Sequence, residues 1–387
     1  MGRVEQRWDP HAAQAPADQL EQLDALRARC PITHDRDGAW AVLSHAESAA
    51  VLDDPLAFSS AVSAHPALPN GLDGEEHRRF RAVVDRYFLP ERVAQFAPAC
   101  RAAARELVRA LPIPGTVEVV GALAEPFAAR ITCAFMGWPR EMERPLRDWM
   151  AANRSATRAR DREAQAEVAR SFDGHIRARL DACRARASRR DDDVTARLLR
   201  ERIDGRPLSD EQIVAIVRNW TVGELGTMSA SAAILVDFLA HHREVQSLLR
   251  AYDDPRLFDA VTDEALRIRP PLIANRRRTT RRVRLGGRLI PAGERVVVLW
   301  ASANRDETVF HDPDEPRLDR DPQDNLLYGR GVHACPGAGL ARMELRVLLD
   351  ELLGATHEIT PPPAGEGERA FAVYPAGGFS RLTVNLA

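Results

Sequence analysis

The 387-residue sequence contains no lysine; all 54 of its basic residues are arginine. That bias fits a GC-rich genome and says little about function. Against 56 acidic residues the formal net charge is −2, which argues against a nucleic-acid or anionic-membrane partner held by bulk electrostatics. Cysteine is scarce: Cys30, Cys100, Cys133, Cys183 and Cys335 are odd in number, widely spaced and free of any C-x-x-C. Zinc ribbons and thioredoxin-like redox sites are therefore unsupported, and the sparse set suits a reducing compartment. No run of eighteen apolar residues occurs, so no membrane span is expected. The opening M-G-R-V-E-Q-R-W-D-P lacks the apolar stretch of a signal peptide. A Gly/Ser linker, a repeat and a compositional break are all missing too. One domain over residues 1–387 is therefore expected, although length alone allows two or three. With 45% hydrophobic residues it can bury a sizeable core. These observations predict a soluble, cytoplasmic protein.

The most informative stretch runs from Tyr328 to Gly337, Y-G-R-G-V-H-A-C-P-G. Cys335 sits in a turn made of three glycines and a proline. Beyond it, Ala341, Leu345, Leu348, Leu349 and Leu352 mark one face of a 3.6-residue helix. A thiol at a helix N-terminus feels the positive end of the macrodipole, which favours the thiolate. Gly329, Gly331 and Gly337 strip side chains from the backbone around the sulfur, so a flat ligand can come close. Such a cysteine suits a metal held in a large planar ring.

Elsewhere the pattern is mostly helical. Leu20, Leu23 and Leu26 recur at helical spacing, a short strand is expected from Gly38 to Ser44, and Ser44 to Glu47 reads as a capping box for a helix through Leu52. Phe58 to Gly74, with Pro66, Pro69, Asn70 and Gly71, reads as a loop. Long helices are predicted from Glu75 to His242; the charged stretch Arg158 to Arg190 reads as a solvated helix face. After Pro270, the runs Val283 to Leu285, Arg288 to Ile290 and Val296 to Leu299 predict a small sheet. A second strand pair is expected at Phe371 to Tyr374 and Leu382 to Asn385, joined through Gly377 and Gly378. The fold class is mainly α with a small β-sheet region.

One helix stands apart. A capping box at Ser209 to Gln212 opens a pattern that continues to about His241 and is apolar on nearly every face from Ile213 to Leu239. Its middle reads W-T-V-G-E-L-G-T, Trp220 to Thr227. Interior glycines cost about 1 kcal/mol each relative to alanine, and a buried carboxylate is expensive. Such local inconsistency marks functional sites: the glycines open a groove and Glu224 and Thr227 face it. A tight helix crossing is the alternative use of the glycines.

The cysteine segment resembles the haem-thiolate loop of the cytochrome P-450 family, F-G-x-G-x-H-x-C-x-G, with Tyr328 in place of the usual phenylalanine. Matches at Gly329, Gly331, His333 and Gly337 speak against a free cysteine in an ordinary turn. The resemblance spans about Trp8 to Leu386. Glu264 to Arg267 takes the place of the family's E-x-x-R helix, and Asn304-Arg305-Asp306 with His311 to Arg320 its N-R-D and D-P-D segments. Pro316 replaces an aromatic there, and Arg320 is the implied third partner of the structural E-R-R triad. Asp73 to Phe88 is similar to the family's haem-flanking helix, which assigns His77 and Arg81 to the haem propionates. The same resemblance places a propionate-binding arginine on Arg277, with Arg276 as the adjacent alternative, and a further contact on His333.

The resemblance implies a single-domain cytochrome P-450 fold and a haem-thiolate monooxygenase. Haem b (iron-protoporphyrin IX) is its cofactor, Cys335 its metal ligand, and O2 and a small organic substrate its reactants. R-N-W-T-V-G-E-L-G-T looks closest to a branch often fused to a flavin/iron–sulfur reductase. No C-x4-C-x2-C spacing appears here. Separate donors are therefore expected, typically ferredoxin and ferredoxin reductase, with no nucleic-acid or membrane partner. The family usually has an acid directly before the threonine; here that position is Gly226. Thr227 and Glu224 are the expected catalytic pair, joined directly or through water, while an arginine partner for Glu224 is the competing arrangement. Two other functions remain in view: a peroxide-driven enzyme of the same fold, against which Thr227 argues, and a non-catalytic haem-binding protein. The loop from Ala61 to Gly71 and the turn from Tyr374 to Phe379 are expected to line the substrate pocket.

Overall fold

Helical periodicity becomes helix along most of the chain in the computed structural model, which describes residues 7–10, 19–63, 66–185 and 193–387. Asp210–His241 is the central element. Its capping box forms as expected: Gln212 N donates to Ser209 Oγ at 3.3 Å, and Ser209 N donates to Gln212 Oε1 at 2.9 Å. Ile213, Val217, Leu225, Ala232, Leu235 and Leu239 are fully buried, and each large one contributes about 1.5–3 kcal/mol of hydrophobic stabilisation. The helices Glu125–Met136, Arg162–Ala185, Pro255–Ile268 and Ala338–Ala355 pack around it, and Ala338–Ala355 also lies along Pro90–Arg109. By length and composition Asp210–His241 is apolar enough to cross a membrane, but two thirds of its apolar window lies inside the protein. It is the core helix.

The sheets depart from expectation in instructive ways. Ile32–His34, Trp40–Val42, Arg295–Val298, Asn275–Thr279 and Phe58–Ser59 form one five-stranded sheet in that order. The run near Val296 thus leaves its sequence neighbours to pair with the N-terminal strands, Val298 opposite Val42 and Val296 opposite Arg277. Phe58–Ser59, expected as loop, is its edge strand. Val283–Leu285 and Arg288–Ile290 stand apart as a hairpin, turning on Gly286 and Gly287 at φ 52° and 73°. Phe379–Leu386 pairs with Arg369–Phe371, with Ile359–Thr360 and with the distant Gly115–Glu118. Non-local pairing of this kind leaves no local signature.

Two further corrections are local. The expected capping box at Ser44 is not made, because the Ser44 hydroxyl donates to the Glu47 carboxylate and leaves the helix N–H groups aside. The charged stretch from Arg158 breaks at Arg160, in the left-handed region, before Arg162–Ala185 resumes; residues 186–190 lie outside the described residues.

Candidate active site

The loop before Ala338–Ala355 is held by its own backbone. Gly329 N donates to Leu326 O at 2.9 Å and Cys335 N to Tyr328 O at 2.8 Å. Gly329 and Gly331 sit at φ 70° and 68°, and a Cβ on Gly331 would stand 3.0 Å from Leu52 O. Gly337 starts the helix; a Cβ there would come within 3.9 Å of Cys335 Sγ. The Cys335 side chain is accessible because it opens onto a cavity. Burial pushes the Cys335 thiol up, against the Gly337 N–H that favours the anion. The helix terminus alone therefore does not secure a thiolate, and a bound metal is the natural counter-charge. Tyr328 keeps the aromatic body under an arginine, Arg342, 4.6 Å above its ring, while its added hydroxyl is buried without a partner among the described residues.

A buried triad supports this loop. Arg267, 1% exposed, donates to both oxygens of Glu264 at 2.7 and 2.8 Å, and Arg320 Nε donates to Glu264 Oε1 at 2.9 Å. Burial opposes ionisation of Glu264, but its arginine partners outweigh that and hold the carboxyl below its ordinary value. Arg267 also donates to Asn304 O, and Asn304 Oδ1 accepts from Leu326 N at 2.8 Å, two residues before Tyr328. Phe310 lies under both guanidiniums, at 4.9 and 5.8 Å.

Strand register decides between the adjacent arginines. With a period of two, Arg277 and Thr279 point inward while Arg276 and Arg278 are exposed. Arg277 is 6% exposed and faces the cavity; among the described residues its guanidinium donates only to Arg276 O, at 2.7 Å. Burial lowers its pKa, partly offset by the charge of Asp73. His77 and His333 stack with ring centroids 4.1 Å apart; Nε2 of His77 is buried with no hydrogen-bond partner among the described residues, and Nε2 of His333 stands 3.4 Å from Asp73 Oδ1. Burial, then His77 and Arg277, lower the pKa of His333 to about 4. Arg81 is already engaged: it donates to Val332 O and Ala334 O at 3.0 Å each and pairs with Asp85 at 2.6 Å. Arg277 and His333 line the cavity directly; His77 and Arg81 stand behind it, against the cysteine loop.

The opposite wall comes from Asp210–His241. A Cβ added at Gly223 or Gly226 would meet nothing within 4 Å, so these glycines open space and are not a tight helix crossing. Thr227 donates its hydroxyl hydrogen to Gly223 O. Glu224 does not join it directly, and the competing arginine partner is absent among the described residues. Instead Glu224 meets Glu344 of Ala338–Ala355, a residue the sequence reading missed. An E in a helix of strong amphipathic pattern carries no signal by itself.

The cavity between Cys335 and Thr227 holds about 300 Å³, within the ~300–1,000 Å³ usual for one small ligand. Phe88, Phe135, Trp220 and Trp300 add aromatic walls that periodicity did not single out. Of the expected lining loops, Asn70 reaches the cavity, while residues 64–65 lie outside the described residues. The turn Tyr374 to Phe379 does not reach it. Gly377 instead packs on Pro270, and Ala376 bridges to Leu272, bracing that wall from behind.

Comparison with known proteins agrees with this geometry. The family model "Cytochrome P450" matches residues 147–366. A cyclomarin C epoxidase of Salinispora arenicola is 31% identical over 81% of this chain and 82% of its own. An erythromycin C-12 hydroxylase of Saccharopolyspora erythraea is 30% identical over 91% of this chain and 90% of its own. The solved open structure of P450 EryK from S. erythraea superposes with a TM-score of 0.85 at 29% identity, covering 95% of each chain.

Proposed function

The chain belongs to the cytochrome P450 family, and from that premise we propose that Cys335 is the only protein ligand to its haem iron, within one domain spanning residues 1–387. It is a haem-thiolate monooxygenase with haem b as cofactor, acting on O2 and a small organic substrate with electrons from redox partners. When bound, the haem supplies oxygen activation: one atom enters the substrate and the other leaves as water.

The residues present fit that group. Cys335 opens onto a cavity with aromatic walls, Gly223 and Gly226 leave free space opposite, and Arg277 is a buried cation with no carboxylate partner among the described residues. Arg277 and His333 would receive the propionates, whose charge needs compensation in a buried place. His77 would orient His333 through the ring stack, and Arg81 would fasten the cysteine loop beside them. Thr227 carries the distal chemistry: with its own hydrogen held by Gly223 O, its oxygen faces the cavity as an acceptor. Glu224 is the acid on the same helix face and would be linked to it through a water.

The observation that carries this reading is the thiol facing a buried arginine and an open glycine groove across one cavity. Ferredoxin and ferredoxin reductase in the cytoplasm are the proposed electron source. The test supplies both with NAD(P)H and a ligand that displaces the haem-bound water, read as a spectral shift. Oxygen-dependent NAD(P)H consumption that rises with the ligand is expected. Turnover with peroxide alone would establish the peroxide-driven alternative, and no turnover at all a haem-binding role.

A further inference from the structure

Two side-chain amides line the cavity with their hydrogen-bonding groups unspent. Asn219 belongs to Asp210–His241 and Asn70 to the loop before Gly74–Val84. Among the described residues neither side chain hydrogen-bonds to the protein. The other amide in the lining, Asn275, already accepts from Arg276 N at 2.8 Å. One contact ties the two segments together. Arg218, next to Asn219 in the chain, donates to Pro66 O at 2.9 Å and pairs with Asp173 of Arg162–Ala185. Leu72 N donates to Pro69 O at 3.0 Å, closing the turn that carries Asn70. The loop is thus fastened to the helix one residue from Asn219 and four residues before Asn70. Along that helix, Asn219, Gly223 and Thr227 follow at i and i+4 and share one face. Gly223 leaves the space between its neighbours open. The eight residues from Asn219 to Thr227 rise about 12 Å.

We propose that Asn219 and Asn70 bind an amide group of the substrate, whose apolar remainder runs along the Gly223 groove and is oxidised beside Thr227. This rests on the monooxygenase reading and names its substrate class: neutral amides with an extended apolar arm. A side-chain amide offers an acceptor oxygen and an NH2 donor. Its complement is a neutral group that carries a donor and an acceptor side by side, as a secondary amide does. A ligand without such a group would strip water from Asn219 and Asn70 and return nothing, which costs binding. A carboxylate is a poorer match because the cations in the lining are committed. Both oxygens of Asp53 accept from Arg330 at 2.9 Å, and Arg277 is assigned to a propionate. Apolar lining at Pro271, Leu272 and Met228 accepts many shapes, so the amides set which end of the ligand points where. The helix then acts as a ruler: the carbon presented at Thr227 lies about 12 Å from the amide.

The test uses the holoenzyme and three matched probes: an N-alkyl benzamide, the ester with oxygen in place of NH, and the ketone with CH2 there. Binding is read by calorimetry and by the haem spectral shift. The amide should bind roughly tenfold more tightly than either analogue, the scale of one or two net hydrogen bonds. Asn219→Leu and Asn70→Leu should each reduce that advantage and the double variant abolish it, with the thiolate carbon monoxide spectrum kept. Mass spectrometry of the products should place the oxygen on carbons remote from the amide once the alkyl arm is long enough to reach Thr227. The proposal is overturned if the amide has no advantage in the wild type, whether all three probes bind alike or none binds. It is equally overturned if the advantage survives both substitutions, or if oxygen enters beside the amide nitrogen whatever the arm length. If Asn219→Leu does not fold, Asn219→Ala and the loop variant Asn70→Leu carry the same comparison. A wild-type holoenzyme lacking the thiolate spectrum would instead strike the monooxygenase reading, while calorimetry still decides the amide site.

Discussion

Replacing Arg277 separates cofactor binding from folding in one experiment. The residue is 6% exposed, its guanidinium donates only to a neighbouring backbone carbonyl among the described residues, and Asp73 offers a charge without an ion pair. Without haem it is a desolvated cation with poor compensation, so Arg277→Ala should leave the haem-free chain as stable as wild type or slightly more so. With haem the sign reverses, since removing one partner of a buried pair costs ~3–5 kcal/mol. At about 1.4 kcal/mol per tenfold, that weakens haem binding by roughly 10²–10³-fold or more. Arg277→Lys keeps the charge but loses the planar two-pronged donor, and should fall between. The assay is haem transfer to an acceptor apoprotein, with thermal unfolding of haem-free samples alongside. Wild-type haem retention in Arg277→Ala would refute the assignment and return attention to exposed Arg276. A large loss of stability in the haem-free variant would show Arg277 to be a structural ion instead.

Thr227→Ala should retain substrate binding but divert reducing equivalents to hydrogen peroxide, read as peroxide formed per NAD(P)H consumed. Gly223→Leu should fill the open groove and abolish ligand-induced spectral shifts, with little change in helix content by circular dichroism. Glu264→Gln should destabilise the fold by ~3–5 kcal/mol near neutral pH by leaving Arg267 unpaired. Because the Glu264 carboxyl is held below its ordinary value, its contribution is present above the unfolded pKa of about 4.3 and is lost as pH falls through the lower folded value. The gap between variant and wild type in unfolding experiments should therefore close in acid; a gap independent of pH would rule out the ionised triad.

Local chemistry made much of this site legible. The turn glycines around Cys335, the capping box at Ser209 and the glycines inside Asp210–His241 each conflict with or satisfy a short-range rule, so a sequence exposes them. The choice of Arg277 over Arg276 needed strand register, which depends on Arg295–Val298 pairing across the sheet. Glu344 was invisible for a similar reason: a glutamate in a helix reads as surface until its partner on another helix is known. The edge strand Phe58–Ser59 and the pairing of Gly115–Glu118 with Phe379–Leu386 also join residues far apart in the chain. Conversely, the failed capping box at Ser44 shows that a matching motif does not fix geometry when the two side chains prefer each other.

The most direct measurement is the carbon monoxide difference spectrum of reduced holoenzyme and of Cys335→Ser. A thiolate ligand gives the red-shifted band of its class in the wild type. Loss of that band in Cys335→Ser, with no change on replacing Cys30, Cys100, Cys133 or Cys183, is the expected result. A thiolate band that survives Cys335→Ser would contradict the account.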